Sequence, residues 1–356
     1  MPQSSGLERE DAMSAPVSVV ILAAGSGKRM RSSLPKVLHP LGGIPLIEHS
    51  LRAAAQVSHQ PPVLVVGHGA EQVRAAVGTR ARYALQAEQL GTAHALRTAQ
   101  LLLAGAGGRV LVITGDMPLL RGETFRRLID LQSRNEGPFS MLTVTLDDPH
   151  GFGRVVRADD GAVRAIVEEA LAPPEVLAIR ELNASVYCFE SDWLWGALPR
   201  VPLSPKGEYY LTDLAGIAAQ DGLPVQALSA GDAGEALGIN TRQHLAEAEA
   251  VLRRRTNQRW MEAGVTLIDP LATTIEVDVE IGADTLLYPG CYLAGQTCIG
   301  ANCRIGPQAV IRDSRIGDGC RVAAAWLENC RVEDGGEVPA CRYLRGETVP
   351  AARQGE

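Results

Sequence analysis

The sequence predicts two architectures in series. An α/β domain with a doubly wound, mainly parallel sheet of Rossmann-like type comes first, and a short left-handed parallel β-helix follows. Three observations carry this. Continuous aliphatic runs alternate with amphipathic stretches from residue 17 to about 240. A single long helical pattern then fills 241–264. Beyond it, aliphatic residues recur every six positions.

The runs "VSVVIL" (17–22), "PVLVVG" (62–67), "RVLVIT" (109–114) and "SMLTVTL" (140–146) are rich in Val, Ile and Leu without alternation, as strands covered on both faces are. Between them, "PLIEHSLRAAAQV" (45–57) and "TAHALRTAQLLLA" (92–104) read as helices. Strands alternating with helices imply a parallel sheet, with ligands at the carboxyl ends of its strands. In 241–264, Leu245, Ala248, Val251, Leu252 and Arg255 keep helical spacing and Gly264 is suited to the C-terminal cap.

The six-residue period runs through Ile281, Leu287, Leu293, Ile299, Ile305 and Ile311. Aliphatic residues continue, at steps of five or six, with Ile316, Val322, Leu327 and Val332. Such hexapeptide self-similarity marks a solenoid in which three short strands make one coil, so ten strands make roughly three coils. Cys303 and Cys320 hold the same place in successive repeats and should stack one coil apart, as small residues filling turns.

The expected organisation is a disordered tail over 1–15 and an α/β domain over 16–240. A connecting helix over 241–264, the repeats over 265–345 and a tail over 346–356 complete it. A formal net charge of -7 and 4% aromatic residues argue against a nucleic-acid binder. No stretch is long and apolar enough for a membrane span, and the polar N-terminus resembles no export signal. Seven cysteines without such a signal suggest reduced thiols in the cytoplasm.

"VVILAAGSGKRMRSSLPKVLH" (19–39) holds the first candidate site. A strand gives way to Ala23, Ala24, Gly25 and Gly27, which let backbone N–H groups approach a ligand. Arg29 offers a forked donor for phosphate oxygens and Lys36, behind Pro35, a point charge. The loop is not a P-loop, because Leu22 and Arg29 stand where Gly and Ser or Thr are required. Nor is it a dinucleotide fingerprint, because Met30 takes the place of the last Gly.

This opening resembles the signature of sugar-1-phosphate nucleotidyltransferases. It is most similar to the bacterial bifunctional N-acetylglucosamine-1-phosphate uridylyltransferase / glucosamine-1-phosphate acetyltransferase family. The resemblance continues in order through "LQAEQLGTAHAL", "GDMPLL", "LDDPHGFGRVVR", "AIVEEA", "ELNASVYCF", "KGEYYLTDL" and "ALGINTRQHLAEAE". It implies magnesium-dependent uridylyl transfer from UTP to N-acetylglucosamine-1-phosphate, with release of pyrophosphate. It also implies Arg29 and Lys36 as phosphate-binding catalytic cations, and Asp116 and Asn240 as magnesium ligands. Ala24, Gly25, Gln86, Gly91 and Thr92 would take the nucleotide, Gln86 pairing with the base edge through donor and acceptor both. Gly153, Glu168, Asn183 and Tyr210 would take the sugar. Read without the resemblance, Asp116 suits a turn before Pro118, and Asn240 suits a helix N-cap with Gln243 three residues on.

Where the sugar should lie, four positions depart from that family's pattern, and Lys28, for a common Thr, is a smaller departure. Thr114 stands for a usual Tyr, Ala170 for a usual Lys, and Ala184 and Ser185 for a usual Thr-Gly. These leave room for another sugar-1-phosphate as substrate, or for a non-catalytic scaffold relative. No histidine follows His244 and the repeat fades after Val332, so no acetyltransferase activity is expected. The repeats of that family commonly assemble as trimers, which leaves a homotrimer or a monomer open here.

Overall fold

A computed structural model describes residues 15–352, save 104, 147, 148 and 150. The expected disordered tail over 1–15 therefore lies, but for its last residue, outside the described residues. The described residues divide into two compact units, one within 15–39 and 46–240, the other within 40–45 and 241–352.

The first unit is built on a nine-stranded sheet. Val17–Ala23 lies at its middle, parallel to Val63–Val66 on one side and to Arg109–Thr114 on the other. Arg82–Leu85 extends the first side in parallel. On the second, the long antiparallel strand Glu181–Glu190 is followed by Phe139–Thr145 and Val225–Ser229. Arg154–Arg157 and Val163–Val167 pair with each other, and the former with Glu181–Glu190. The aliphatic runs lack alternation because both faces are buried. Val20, Val63, Val65, Val110 and Val112 enter one core, and their neighbours Ile21, Leu64, Val66, Leu111 and Ile113 enter the other. Helices Leu46–Ala55 and Thr92–Leu103 stand close to the expected spans.

In the second unit, Arg242–Glu262 forms the connecting helix. Thr241, not Asn240, caps it, its hydroxyl accepting the His244 N–H at 3.1 Å. Gly264 follows the helix at φ +89°, a conformation that favours glycine. The hairpin Pro40–Pro45 belongs here despite its early place in the chain. The Gly42 N–H donates to Glu249 Oε2 at 3.0 Å, and a side chain at Gly42 would stand 2.6 Å from Leu252.

The repeats form three parallel sheets of five strands, hence five coils rather than three. Each inner column is aliphatic: Leu267, Leu287, Ile305, Val322 and Val338; Ile275, Leu293, Ile311, Leu327 and Leu344; Ile281, Ile299, Ile316, Val332 and Val349. The repeat does not end at Val332. Val338 and Leu344 keep the six-residue step, and Thr348–Val349 is a strand inside the span expected to be a tail. Charged and proline neighbours, not a change of period, disguised these coils. Leu267 escaped detection because it stands eight residues before Ile275, which itself keeps the six-residue step to Ile281.

Cys303 and Cys320 do stack. The Cys303 thiol donates to Gly317 O at 3.0 Å and the Cys320 thiol to Glu333 O at 3.1 Å. Burial pushes both thiols up, Cys320 to about 11.

Candidate active site

A cavity of about 440 Å³ opens at the carboxyl ends of the parallel strands, lined by residues of the Leu22–Ser26 loop, Lys36, Gln86, Gly91, Thr92, Thr114, Asp116, Glu168, Ser185, Tyr187, Glu208 and Tyr210–Thr212. Gly25 has no atom within 4 Å of where a Cβ would be. Nothing in the protein's own packing demands glycine there, so the bare backbone faces space that a ligand can fill. Gly27, at φ +60°, has a different task. A Cβ there would stand 2.9 Å from Lys36 Cβ, and one at Gly69 would stand 2.4 Å from Pro35 Cγ. These two glycines leave the room in which Pro35 and Lys36 cross the mouth of the sheet.

Lys36 Nζ donates to Asp116 Oδ2 at 2.5 Å and to Asn240 Oδ1 at 3.0 Å. Asp116 follows the strand Arg109–Thr114, and its carbonyl accepts the Ile239 N–H at 2.8 Å. That backbone bond brings Asn240 beside Asp116 across 124 positions of chain. Because Thr241 takes the capping role, the Asn240 carboxamide turns to Lys36 instead. Among the described residues lining the cavity, Lys36 is the one cation.

Arg29 is not brought to that cavity. It lies exposed in the 3-10 turn Lys28–Met30, whose Met30 is buried. Successive side chains of such a turn point about 120° apart, so anchoring Met30 inward throws Arg29 outward.

Gln86 is 3% exposed, and its amide nitrogen donates to Gly91 O at 3.0 Å and lies 3.1 Å from His94 Nδ1. The expectation of a donor and an acceptor both facing a base is thereby narrowed to its oxygen. Gly91 is needed by the fold, at φ +99° with Tyr209 O only 2.5 Å from a notional Cβ. The Thr92 hydroxyl accepts the Leu211 N–H at 2.9 Å, lacing segment 208–212 to the helix start. His94, Glu208 and Thr212 were not picked out from the sequence, although "KGEYYLTDL" contains two of them.

At the other end, Thr212 Oγ1 donates to Glu168 Oε1 at 2.9 Å. Burial first, with negative Asp213 and Glu208 nearby, pushes the Glu168 carboxyl up from its ordinary 4.5; the Thr212 bond opposes this. Tyr210 lines the same wall. Asn183 and Gly153 stand behind it. Asn183 is 3% exposed, donating to Tyr187 Oη at 2.7 Å and accepting the Ser185 N–H at 3.1 Å, while its own N–H donates to Gly153 O at 2.9 Å. The groups that reach the cavity are instead Ser185 and Tyr187, displaced by a bulge in the strand between Asn183 and Tyr187. Burial pushes the Tyr187 phenol up, keeping it protonated. Ser185 sits at φ +54°, which explains why glycine suits this position and why serine is strained there. Thr114, another departure, also lines the cavity.

Residues 19–266 match the family model of the MobA-like NTP transferase domain, and 278–313 match the bacterial transferase hexapeptide (six repeats). The chain is 43% identical over 334 residues to the bifunctional protein GlmU of Exiguobacterium sp. strain AT1b, covering 94% of this chain and 74% of that protein. It is 45% identical over 335 residues to the bifunctional protein GlmU of Heliobacterium modesticaldum, covering 94% and 73%. The chain thus spans about three quarters of the length of these relatives. A Bacillus anthracis structure, provisionally assigned as a glucose-1-phosphate thymidylyltransferase and solved with sucrose, shares the fold. It has TM-score 0.53 and 20% identity, and the match covers 66% of this chain and 94% of that one. No helix among the described residues is long and apolar enough to cross a membrane. With that family match, its fold and this cavity, the chain belongs to the GlmU family, as a sugar-1-phosphate nucleotidyltransferase of the UDP-N-acetylglucosamine pyrophosphorylase type joined to hexapeptide repeats.

Proposed function

We propose that the chain transfers uridylyl from UTP to N-acetylglucosamine-1-phosphate. A phosphate oxygen of the sugar attacks the α-phosphorus, the bond to the bridging oxygen breaks, and pyrophosphate leaves with its electron pair. No protein nucleophile takes part, so positioning and charge balance carry the rate. One observation supports this most. Lys36, Asp116 and Asn240, drawn from three distant motifs, converge within 3.0 Å at the cavity. Lys36 is the cation for the triphosphate and the incoming phosphate. Arg29 joins it only if the loop Gly25–Arg31 folds over bound phosphates. Gln86, Gly91 and Thr92 frame the base, with Ala24 and Gly25 beneath it. Glu168 and Tyr210 meet the sugar hydroxyls, while Asn183 and Gly153 hold Ser185 and Tyr187 in place.

Asp116 and Asn240 fit magnesium. They present a carboxylate and an amide oxygen that already meet on one cation, the Lys36 ammonium, and hard oxygens are what that ion takes. When bound, magnesium supplies neutralisation of phosphate charge. Activity should vanish on chelation and return with added magnesium.

The deciding experiment is pyrophosphate release from UTP with N-acetylglucosamine-1-phosphate. Turnover on the order of 1 to 1000 per second supports the reading. Activity with a different sugar-1-phosphate alone would favour the second reading, which Thr114 and Ser185 at the cavity wall motivate. Silence with every sugar would leave a scaffold.

In these residues the repeats carry no acetyl transfer. They contain no histidine, and the inner thiols at Cys303 and Cys320 are buried with their pKa raised. Acetylation of glucosamine-1-phosphate by the purified chain would overturn this. Copies of the chain assemble through one face of the repeats. Tyr292, Val310, Trp326 and Tyr343 form its outward row, with Trp326 47% and Tyr343 60% exposed. The other two outward rows carry Arg304, Arg321 and Glu337, and Glu280, Arg315 and Arg331. A trimer by sedimentation that dissociates in Trp326→Glu supports this; a monomeric wild type overturns it. Seven cysteines without a disulfide suit a reducing, cytoplasmic compartment.

A further inference from the structure

Arg154 is the largest fully buried side chain among the described residues, 2% exposed, and no step above uses it. A buried guanidinium is costly unless its donors are occupied, so its partners show what it is for. Its backbone lies opposite Val167 on one side and Leu182 on the other. The next residues along these three strands are Gly153, Glu168 and Asn183, the sugar-side set. Arg154 Nη1 donates to Phe152 O and Nε to Leu177 O at 3.4 Å. Nη2 lies 3.6 Å from Glu169 Oε1, while Glu169 Oε2 accepts the Gly151 N–H at 2.8 Å.

One planar fork thus ties three segments: the turn 151–153, the turn Glu169–Leu171 directly after Glu168, and the short helix Pro174–Leu177. The first holds two glycines, Gly151 at φ +86°, and would sample many conformations without a tie. We propose that Arg154 is a positioning residue that sets the sugar half of the cavity by clamping these segments. It acts through Glu168 and Asn183 and touches no substrate. The proposal rests on the sugar-1-phosphate reading above. A lysine would keep the charge but not the fork, and so would tie one segment at most.

Steady-state kinetics of Arg154→Lys and Arg154→Met, with thermal unfolding of each, test it. In Arg154→Lys the expected result is a KM for the sugar-1-phosphate raised roughly tenfold or more, as small misplacements cost, with the KM for UTP and the unfolding midpoint close to wild type. Arg154→Met should show the same split, larger. The proposal is overturned if the sugar KM stays at the wild-type value in both variants. It is also overturned if both KM values rise together, or if both variants simply fail to fold, since each outcome marks a merely structural arginine. A wild-type chain silent with every sugar-1-phosphate would instead overturn the underlying reading and take this one with it. An active wild type with unshifted variants sinks the clamp alone.

Discussion

Buried polar side chains meet opposite fates in the two units. In the solenoid the inner hydroxyls of Thr285, Thr297 and Ser314 accept from the backbone one coil away. Thr285 Oγ1 accepts the Cys303 N–H, Thr297 Oγ1 the Ser314 N–H, and Ser314 Oγ the Cys330 N–H. In the α/β unit, polar groups bond one another around an opening instead: Lys36 with Asp116 and Asn240, Thr212 with Glu168, Asn183 with Tyr187. A regular stack offers these inner hydroxyls backbone partners at the inter-strand spacing, about 4.8 Å away, so they are engaged within the fold. Side chains gathered from separate loops meet no such ladder. Their bonds to one another are the kind a substrate can replace.

The sharpest way to break this contrast is Asp116→Ala. Removing one preorganised electrostatic group should cut turnover by roughly 10²–10³-fold, while circular dichroism and the unfolding midpoint stay near wild type. Unchanged turnover would place the chemistry elsewhere. In the solenoid the reverse should hold. Ile311→Ala deletes a fully buried inner-column side chain and should cost about 2–5 kcal/mol in denaturant unfolding of the repeats, leaving the KM for UTP alone.

Ser185→Gly removes a strained φ of +54° and should stabilise the α/β unit by about 1 kcal/mol; a loss of stability would mean the hydroxyl is structurally needed. Glu168→Gln tests the raised carboxyl. In the folded state Glu168 holds its proton above 4.5, so the wild type loses stability as pH rises through the folded value. Glu168→Gln should therefore unfold at a higher midpoint at pH 7, the gain shrinking as pH falls toward 4.5. A pH-independent difference would assign the effect to packing. Least in energy, thiol labelling of the native chain should reach exposed Cys341 first and the buried thiols, Cys188, Cys303 and Cys320 among them, last. Early reaction of Cys303 and Cys320 would show that the coils open readily.

Much of this was legible in the chain itself. The unalternated runs announced strands covered on both faces, because burial on both sides removes any need for polar residues. The six-step aliphatic register announced the solenoid, because each coil repeats one packing problem. Gly25, Lys36, Asp116 and Glu168 were named from local motifs and line the cavity. Other features depended on side-chain direction and on contacts between segments far apart in sequence. Arg29 and Lys36 looked equivalent as cations, yet burying Met30 turns one outward while Gly27 and Gly69 let the other reach inward. Asn240 also allowed a second reading, as a helix cap, but Thr241 takes that role and the Ile239 N–H bonds Asp116 O. Asn183 and Gly153 carry the motif but stand behind Ser185 and Tyr187, because a bulge re-aims the strand. Local patterning specifies the two periods, and with them both architectures and the loops that border the cavity. Which side chains enter that cavity was decided only by tertiary structure, since a side chain's direction follows from what its neighbours bury.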